Sequence, residues 1–157
     1  MKNSYVSEET IKKLQLAYNH EVKNMLVYTQ IANYLGVNGF KNLAKYYLIW
    51  ANEERQHSLW VKDFMDSLNI LMESNPFETF SFDINNQSII SFAQKTLEVE
   101  NSTTLIYDEL LQSAMDFDDS AMLIQFANKM LIEQIEETGK ANDINDMMTF
   151  SKKLKLR

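Results

Sequence analysis

The chain has 157 residues, 45% apolar and 24% charged, which suits one domain, residues 1–157, with a substantial core. Three Gly and one Pro are too few for the turns of a β-sandwich, a barrel or a Gly-rich nucleotide-binding fold, and zero Cys removes disulfides, thiolate zinc sites and Cys nucleophiles. Net charge is −7; four basic residues in the last six leave −11 on the rest, a body that repels nucleic acid and gathers cations. No apolar run approaches the ~18 residues of a membrane span, and Met1-Lys2-Asn3-Ser4-Tyr5 leads into polar sequence with no signal core. The expectation is a cytoplasmic protein with neither nucleic-acid nor membrane partners.

Ser7-Glu8-Glu9-Thr10 opens a first helix with a hydroxyl cap and acids in the first turn. Apolar residues then recur at Ile11, Leu14, Ala17, Tyr18, Met25, Tyr28, Ala32 and Leu35, the 3.6-residue stripe, up to Gly36. Gly36-Val37-Asn38-Gly39 is a turn short enough to send the next helix back antiparallel. That second helix is expected from about Phe40 to Leu68, with Leu43, Tyr46, Tyr47, Trp50, Trp60 and Phe64 inward. From Asn69 to Asn86 the periodicity fails. A connection of 18 residues is long for a compact domain, but it suits a crossover running the length of a four-helix bundle. A third helix is expected from about Gln87 to Met115, the break Asp116-Phe117-Asp118-Asp119 reads as a solvated turn, and Ser120 caps a fourth helix from Ala121 past Gly139. The fold expected is all-α: an antiparallel four-helix bundle with one long crossover between helices 2 and 3.

Most of the 22 acids belong to solvated helix faces. The exceptions lie inside apolar stripes. Glu21 stands among Tyr18, Met25 and Tyr28. Glu54 and His57 are three apart, flanked by Trp50, Ala51 and Trp60, so both point at one spot. The fourth helix carries Glu133-Gln134-Ile135-Glu136-Glu137, in which Gln134 pairs with Glu137. Burying several carboxylates together costs several kcal/mol per ion or forces protonation, and a bound multivalent cation removes that cost. Oxygen-rich ligation with one or two nitrogens suits iron or manganese better than structural zinc. Two metals bridged by carboxylates would use this whole set.

These elements resemble the bacterial non-haem ferritins. The likeness runs over roughly residues 7–145 and rests on Asn19-His20-Glu21 with Tyr28, Ala51-Asn52-Glu53-Glu54-Arg55-Gln56-His57, Thr96-Leu97-Glu98-Val99-Glu100 and Glu133-Gln134-Ile135-Glu136-Glu137, one element per helix. The resemblance implies one iron on Glu21, Glu54 and His57, and a second bridged by Glu54 and held by Glu100 and a side chain of the Gln134/Glu137 pair. It implies a weaker inner iron position on Glu53, Glu133, Glu136 and Glu137, and a Tyr28 that can supply an electron when oxygen is reduced. The helical stripe alone does not separate Glu98 from Glu100; the match selects Glu100. His20 reads as a surface or packing residue. Arg55 stands where haem-binding relatives carry Met, so no haem is expected. Lys129 stands where many members have Trp, which removes an electron donor from that position.

The activity implied is that of an iron-storage ferritin with ferroxidase activity, taking Fe(II) with oxygen or peroxide and assembling as a homo-oligomeric cage of twenty-four chains. The alternative is a non-storage di-iron or di-manganese enzyme of rubrerythrin type. Against it, the second Glu-x-x-His and a Cys-rich module are missing. Only 20 residues follow Glu137, so at most a two-turn stub is expected over Thr149 to Arg157. A cage channel wider or more cationic than usual would follow.

Overall fold

The computed structural model describes residues 6–73, 84 and 88–155, and among these it contains helices and no strand. The helices are α1 (Glu8–Val37), α2 (Lys41–Ser67), α3 (Ile89–Asp116) and α4 (Ala121–Lys155). Helices α1 and α3 start on hydroxyl caps. Ser7 Oγ accepts from the Thr10 amide and Ser88 Oγ from the Ser91 amide, each at 3.2 Å. Three helix ends share another device. Gly39, Asn69 and Asp118 have φ of 87°, 55° and 51°, and the following residue's N–H reaches back five places, from Phe40 to Leu35, Ile70 to Met65 and Asp119 to Ala114. Gly, Asn and Asp tolerate that left-handed turn best, so local chemistry sets where α1, α2 and α3 stop.

Two expectations at the α3–α4 corner need correction. Ser120 stands before α4, but its hydroxyl is buried without a hydrogen-bond partner. The Leu123 amide it would have capped donates to the Ser120 carbonyl instead, at 3.0 Å, in a tight first turn. Asp119 is no solvated turn residue either. It is buried and takes hydrogen bonds from the Ser7 amide at 2.7 Å and from the Ser7 and Thr10 hydroxyls. It thereby pins the start of α1 to the start of α4.

Tyr34 packs edge-on against Phe92 at one end of the bundle, while Thr10 bonds Ser113 at the other, so α1 and α3 are antiparallel. Phe64 stacks on Phe126 and Glu53 reaches Lys140, so α2 and α4 are antiparallel too. It follows that α3 starts at the end opposite to where α2 stops, as a long crossover requires. Most of the expected crossover lies outside the described residues. Its first part is tied down where the Glu73 amide donates to Gln15 Oε1 at 3.0 Å. Beyond Gly139, α4 continues unbroken to Lys155 with no separate stub; no Pro or Gly interrupts it there, and the Thr149 hydroxyl donates back to the Asn145 carbonyl. Tyr46 is 40% exposed rather than inward, with its ring edge on Tyr47 and Trp50.

The core comes in two apolar blocks. One gathers Leu14, Val61, Met65, Tyr107, Leu110, Leu123 and Met130; the other gathers Ile31, Leu35, Tyr47, Trp50, Phe92 and Ala141. Between them, at mid-length of the bundle, the buried side chains turn polar.

Candidate metal centre

Each helix delivers an acid to that middle layer. Glu21 comes from α1, Glu54 from α2, Glu100 from α3 and Glu137 from α4, all essentially inaccessible to solvent. His57 follows Glu54, and Gln134 precedes Glu137, by the three residues that put two side chains on one helix face. Two groups result, Glu21–Glu54–His57 and Glu54–Glu100–Glu137, each offering three ligand atoms within 4.8 Å of one another. Glu54 belongs to both. His57 Nδ1 lies 3.9 Å from Glu21 Oε2 and 3.8 Å from Glu54 Oε2.

Hydrogen bonding leaves a specific set of atoms unused. Both Glu54 oxygens, Glu21 Oε2, Glu137 Oε2 and His57 Nδ1 are buried with no hydrogen-bond partner. Native interiors leave few polar atoms in that condition, and these five belong to four residues of one layer. Two tyrosines take the adjacent oxygens. Tyr28 donates to Glu100 Oε1 and Tyr107 to Glu21 Oε1, each at 2.5 Å. Gln134 lies against the same acid; with its amide turned so that donors meet acceptors, the nitrogen donates to Thr104 Oγ1, the Glu100 carbonyl and Glu100 Oε2 at 3.2–3.3 Å.

Burial, then the neighbouring carboxylates, push the acids upward. Glu21 and Glu54 are raised well above the usual carboxylate range, Glu100 is raised to about 8, and Glu137 is raised as well. Tyr28 and Tyr107 are likewise raised, by burial and by the acids they face. The layer is therefore poised to trade protons for cations. His20 is separate. It bonds Thr103 Oγ1 at 3.0 Å, is held down at about 4 by burial and nearby Lys23, and packs as expected.

Of the residues singled out in the sequence, Glu21, Tyr28, Glu54, His57, Glu100, Gln134 and Glu137 meet in this layer, whereas Glu98 is exposed and bonded to Lys95. Glu53 and Glu133 are half-buried and Glu136 is exposed, and of these Glu53 and Glu136 pair with Lys140 at the rim. Three neighbours escaped the sequence reading. Tyr107 was detectable, since Glu100 and Tyr107 repeat the seven-residue spacing of Glu21 and Tyr28. Trp60, expected only to pack, has its ring 5.2 Å from that of His57, and Lys129 Nζ lies over the same Trp60 ring, 4.2 Å from its centroid. A lysine of α4 is thus seated on an aromatic ring of α2. Lys140 had no sequence signal beyond its charge.

The donor set, carboxylates with one imidazole, fits hard-to-intermediate cations such as iron or manganese, and the orphaned oxygens are the atoms such a cation would use. Residues 12–137 match the Rubrerythrin family model. A comparison with curated proteins gave no match. Among solved structures, an open pore ferritin from the hyperthermophilic archaeon Archaeoglobus fulgidus is similar with a TM-score of 0.83 and 23% identity, over 92% of this chain and 88% of that one. A PmFTN variant soaked in iron gives 0.88 and 24%, over 94% and 92%. A humanized archaeal ferritin gives 0.83 and 23%, over 97% of each chain. At such identities the likeness concerns the fold. The family match covers most of the chain and all four acid-bearing positions, and the protein belongs to the rubrerythrin family of ferritin-like four-helix proteins.

Proposed function

We propose that this protein is an iron-storage ferritin with ferroxidase activity, binding two Fe(II) ions as substrate within each chain and keeping Fe(III) mineral inside a cage of twenty-four copies. The observation that carries the reading is the pair of buried ligand groups sharing Glu54, with five orphaned donor atoms between them. In this reading Glu21, Glu54 and His57 hold one ion, and Glu54, Glu100 and Glu137 hold the other. Iron supplies the electrons that oxygen or peroxide takes up. The chain's own residues bind, orient and exchange protons. Glu54, both of whose oxygens are unpartnered, would be the ligand the two ions share. Tyr28 and Tyr107 fix the far oxygens of Glu100 and Glu21, and Gln134 steadies Glu100 from the other side. Glu100, raised to about 8, releases its proton as a cation arrives. Tyr28, in hydrogen-bond contact with Glu100, is the residue positioned to give up an electron together with a proton.

Storage draws support from the ferritin neighbours and from the acidic body, which gathers cations. The family match favours a second reading, a non-storage di-iron oxidase or peroxidase of rubrerythrin type. One assay separates them: aerobic Fe(II) oxidation with iron counted per chain after gel filtration. Many irons per chain support storage, about two support the enzyme, and none removes both.

A further inference from the structure

Lys140 follows Glu137 by one helical turn, and its Nζ lies 3.2 Å from Glu137 Oε1, 3.1 Å from Glu53 Oε2 and 3.6 Å from Glu136 Oε1. The ammonium donates hydrogen bonds to the first two carboxylates and pairs with the third at ion-pair distance. The contact is no ordinary surface pair. The Glu137 side chain is 3% exposed, and its second oxygen, Oε2, is buried with no hydrogen-bond partner. Glu137 is thus divided between a fixed cation at the rim and the group it forms with Glu54 and Glu100. The contact also bridges α2 and α4, from Glu53 to Lys140.

The geometry points to Lys140 as a tethered cation that restricts Glu137 to one free oxygen and keeps a further metal ion off the carboxylates of Glu53, Glu136 and Glu137. The first effect rests on the reading of Glu137 as a metal ligand. The second stands whether or not the buried acids take iron. A divalent ion seeking these rim oxygens competes with an ammonium already attached to the same helix, whose effective concentration is fixed by the chain rather than by solution. Should the ion arrive, the displaced ammonium would remain close by as a like charge. The acids at the rim therefore outnumber the cations they can accept.

Terbium(III), an oxygen-seeking and redox-silent ion, tests this on the full-length metal-free protein, with bound ions counted per chain by equilibrium dialysis. Tyr46, whose surroundings include Lys140, Glu53 and Glu137, serves as luminescence sensitiser. Lys140→Met and Lys140→Gln should each bind one more ion per chain than wild type, with brighter sensitised emission. Lys140→Arg should keep the wild-type count. Adding Glu53→Gln to Lys140→Met should cancel the gain. Equal counts in wild type and both neutral variants would overturn the inference. Glu53→Gln alone, which retains Lys140, decides the point even if neither neutral variant folds: an unchanged count supports it, and loss of one ion shows that metal already holds the rim. Failure of the buried centre reads out differently, as a wild-type count that His57→Ala leaves unaltered.

Discussion

Metal-free protein should lose stability as pH rises from about 6.5 to 8, and metal should abolish the loss. Folding raises Glu21, Glu54, Glu100 and Glu137, so in this range the native chain holds protons that the unfolded chain has released. Native proton excess means stability falls with pH, by about 1.4 kcal/mol per pH unit for each acid that titrates differently. Glu100 alone, raised from 4.5 to about 8, amounts to a loss on the order of 5 kcal/mol once pH exceeds both values. That compares with a total stability of roughly 5–15 kcal/mol for a typical domain. His20 acts in the opposite sense between about 4 and 6.5, where the unfolded imidazole takes a proton that the buried one refuses, so the decline is cleanest above 6.5. Guanidinium unfolding followed by circular dichroism at pH 6.5, 7, 7.5 and 8 measures it. Saturating Zn(II) should flatten the curve, because bound cations replace the protons and stabilise the folded state by mass action. Glu100→Gln should reduce the slope by about 1.4 kcal/mol per pH unit. Metal-free stability that is level or rising over this interval would refute the reasoning.

Four further outcomes test the proposed function. His57→Ala should remove most of the rise in melting temperature that anaerobic Fe(II) or Zn(II) gives wild type; equal rises would take His57 out of the centre. Glu54→Ala, which deprives both ligand groups of their shared member, should slow the first phase of Fe(II) oxidation in stopped-flow absorbance by at least tenfold, and Glu21→Ala should do so less severely. Tyr28→Phe should leave metal binding within a few-fold of wild type while eliminating any tyrosyl radical in electron paramagnetic resonance, whereas a radical that persists would implicate Tyr107. Light scattering should give a particle near about 440 kDa, twenty-four chains of 18.4 kDa, and a stable dimer at physiological salt would leave the non-storage enzyme standing.

Regular features were legible in the sequence because they repeat. Helical periodicity and its breaks located all four helices, and α1, α2 and α3 stop two residues before Gly39, Asn69 and Asp118, where local backbone preference decides, whereas the end of α4 carried no such signal. Acids embedded in apolar stripes pointed to the buried layer, since a carboxylate at a core position is costly without a partner. What escaped depends on contacts between helices. Asp119 reads as solvated in isolation and becomes a buried pin because Ser7 and Thr10 arrive from more than a hundred residues away. Glu98 and Glu100 differ by two residues on one helix, and only the neighbours of α3 determine which faces inward.

The tyrosines show how much one spacing can carry when two helices use it in opposite directions. Seven residues are nearly two turns, so Tyr28 stands about 10 Å along α1 from Glu21, too far to serve its own helix's acid. Because α3 runs antiparallel, the same spacing there sets Tyr107 level with Glu21 and Glu100 level with Tyr28. Each tyrosine consequently donates to the acid of the other helix. The two bonds fix the register between α1 and α3 and consume one oxygen of each acid. The remaining oxygen of Glu21 stays unpartnered, that of Glu100 is shared with Gln134, and the open coordination falls to Glu54, which no tyrosine reaches. An acid left with two free oxygens at the centre of the layer is what a bridging ligand requires, and Glu54→Ala is accordingly the substitution expected to cost the most.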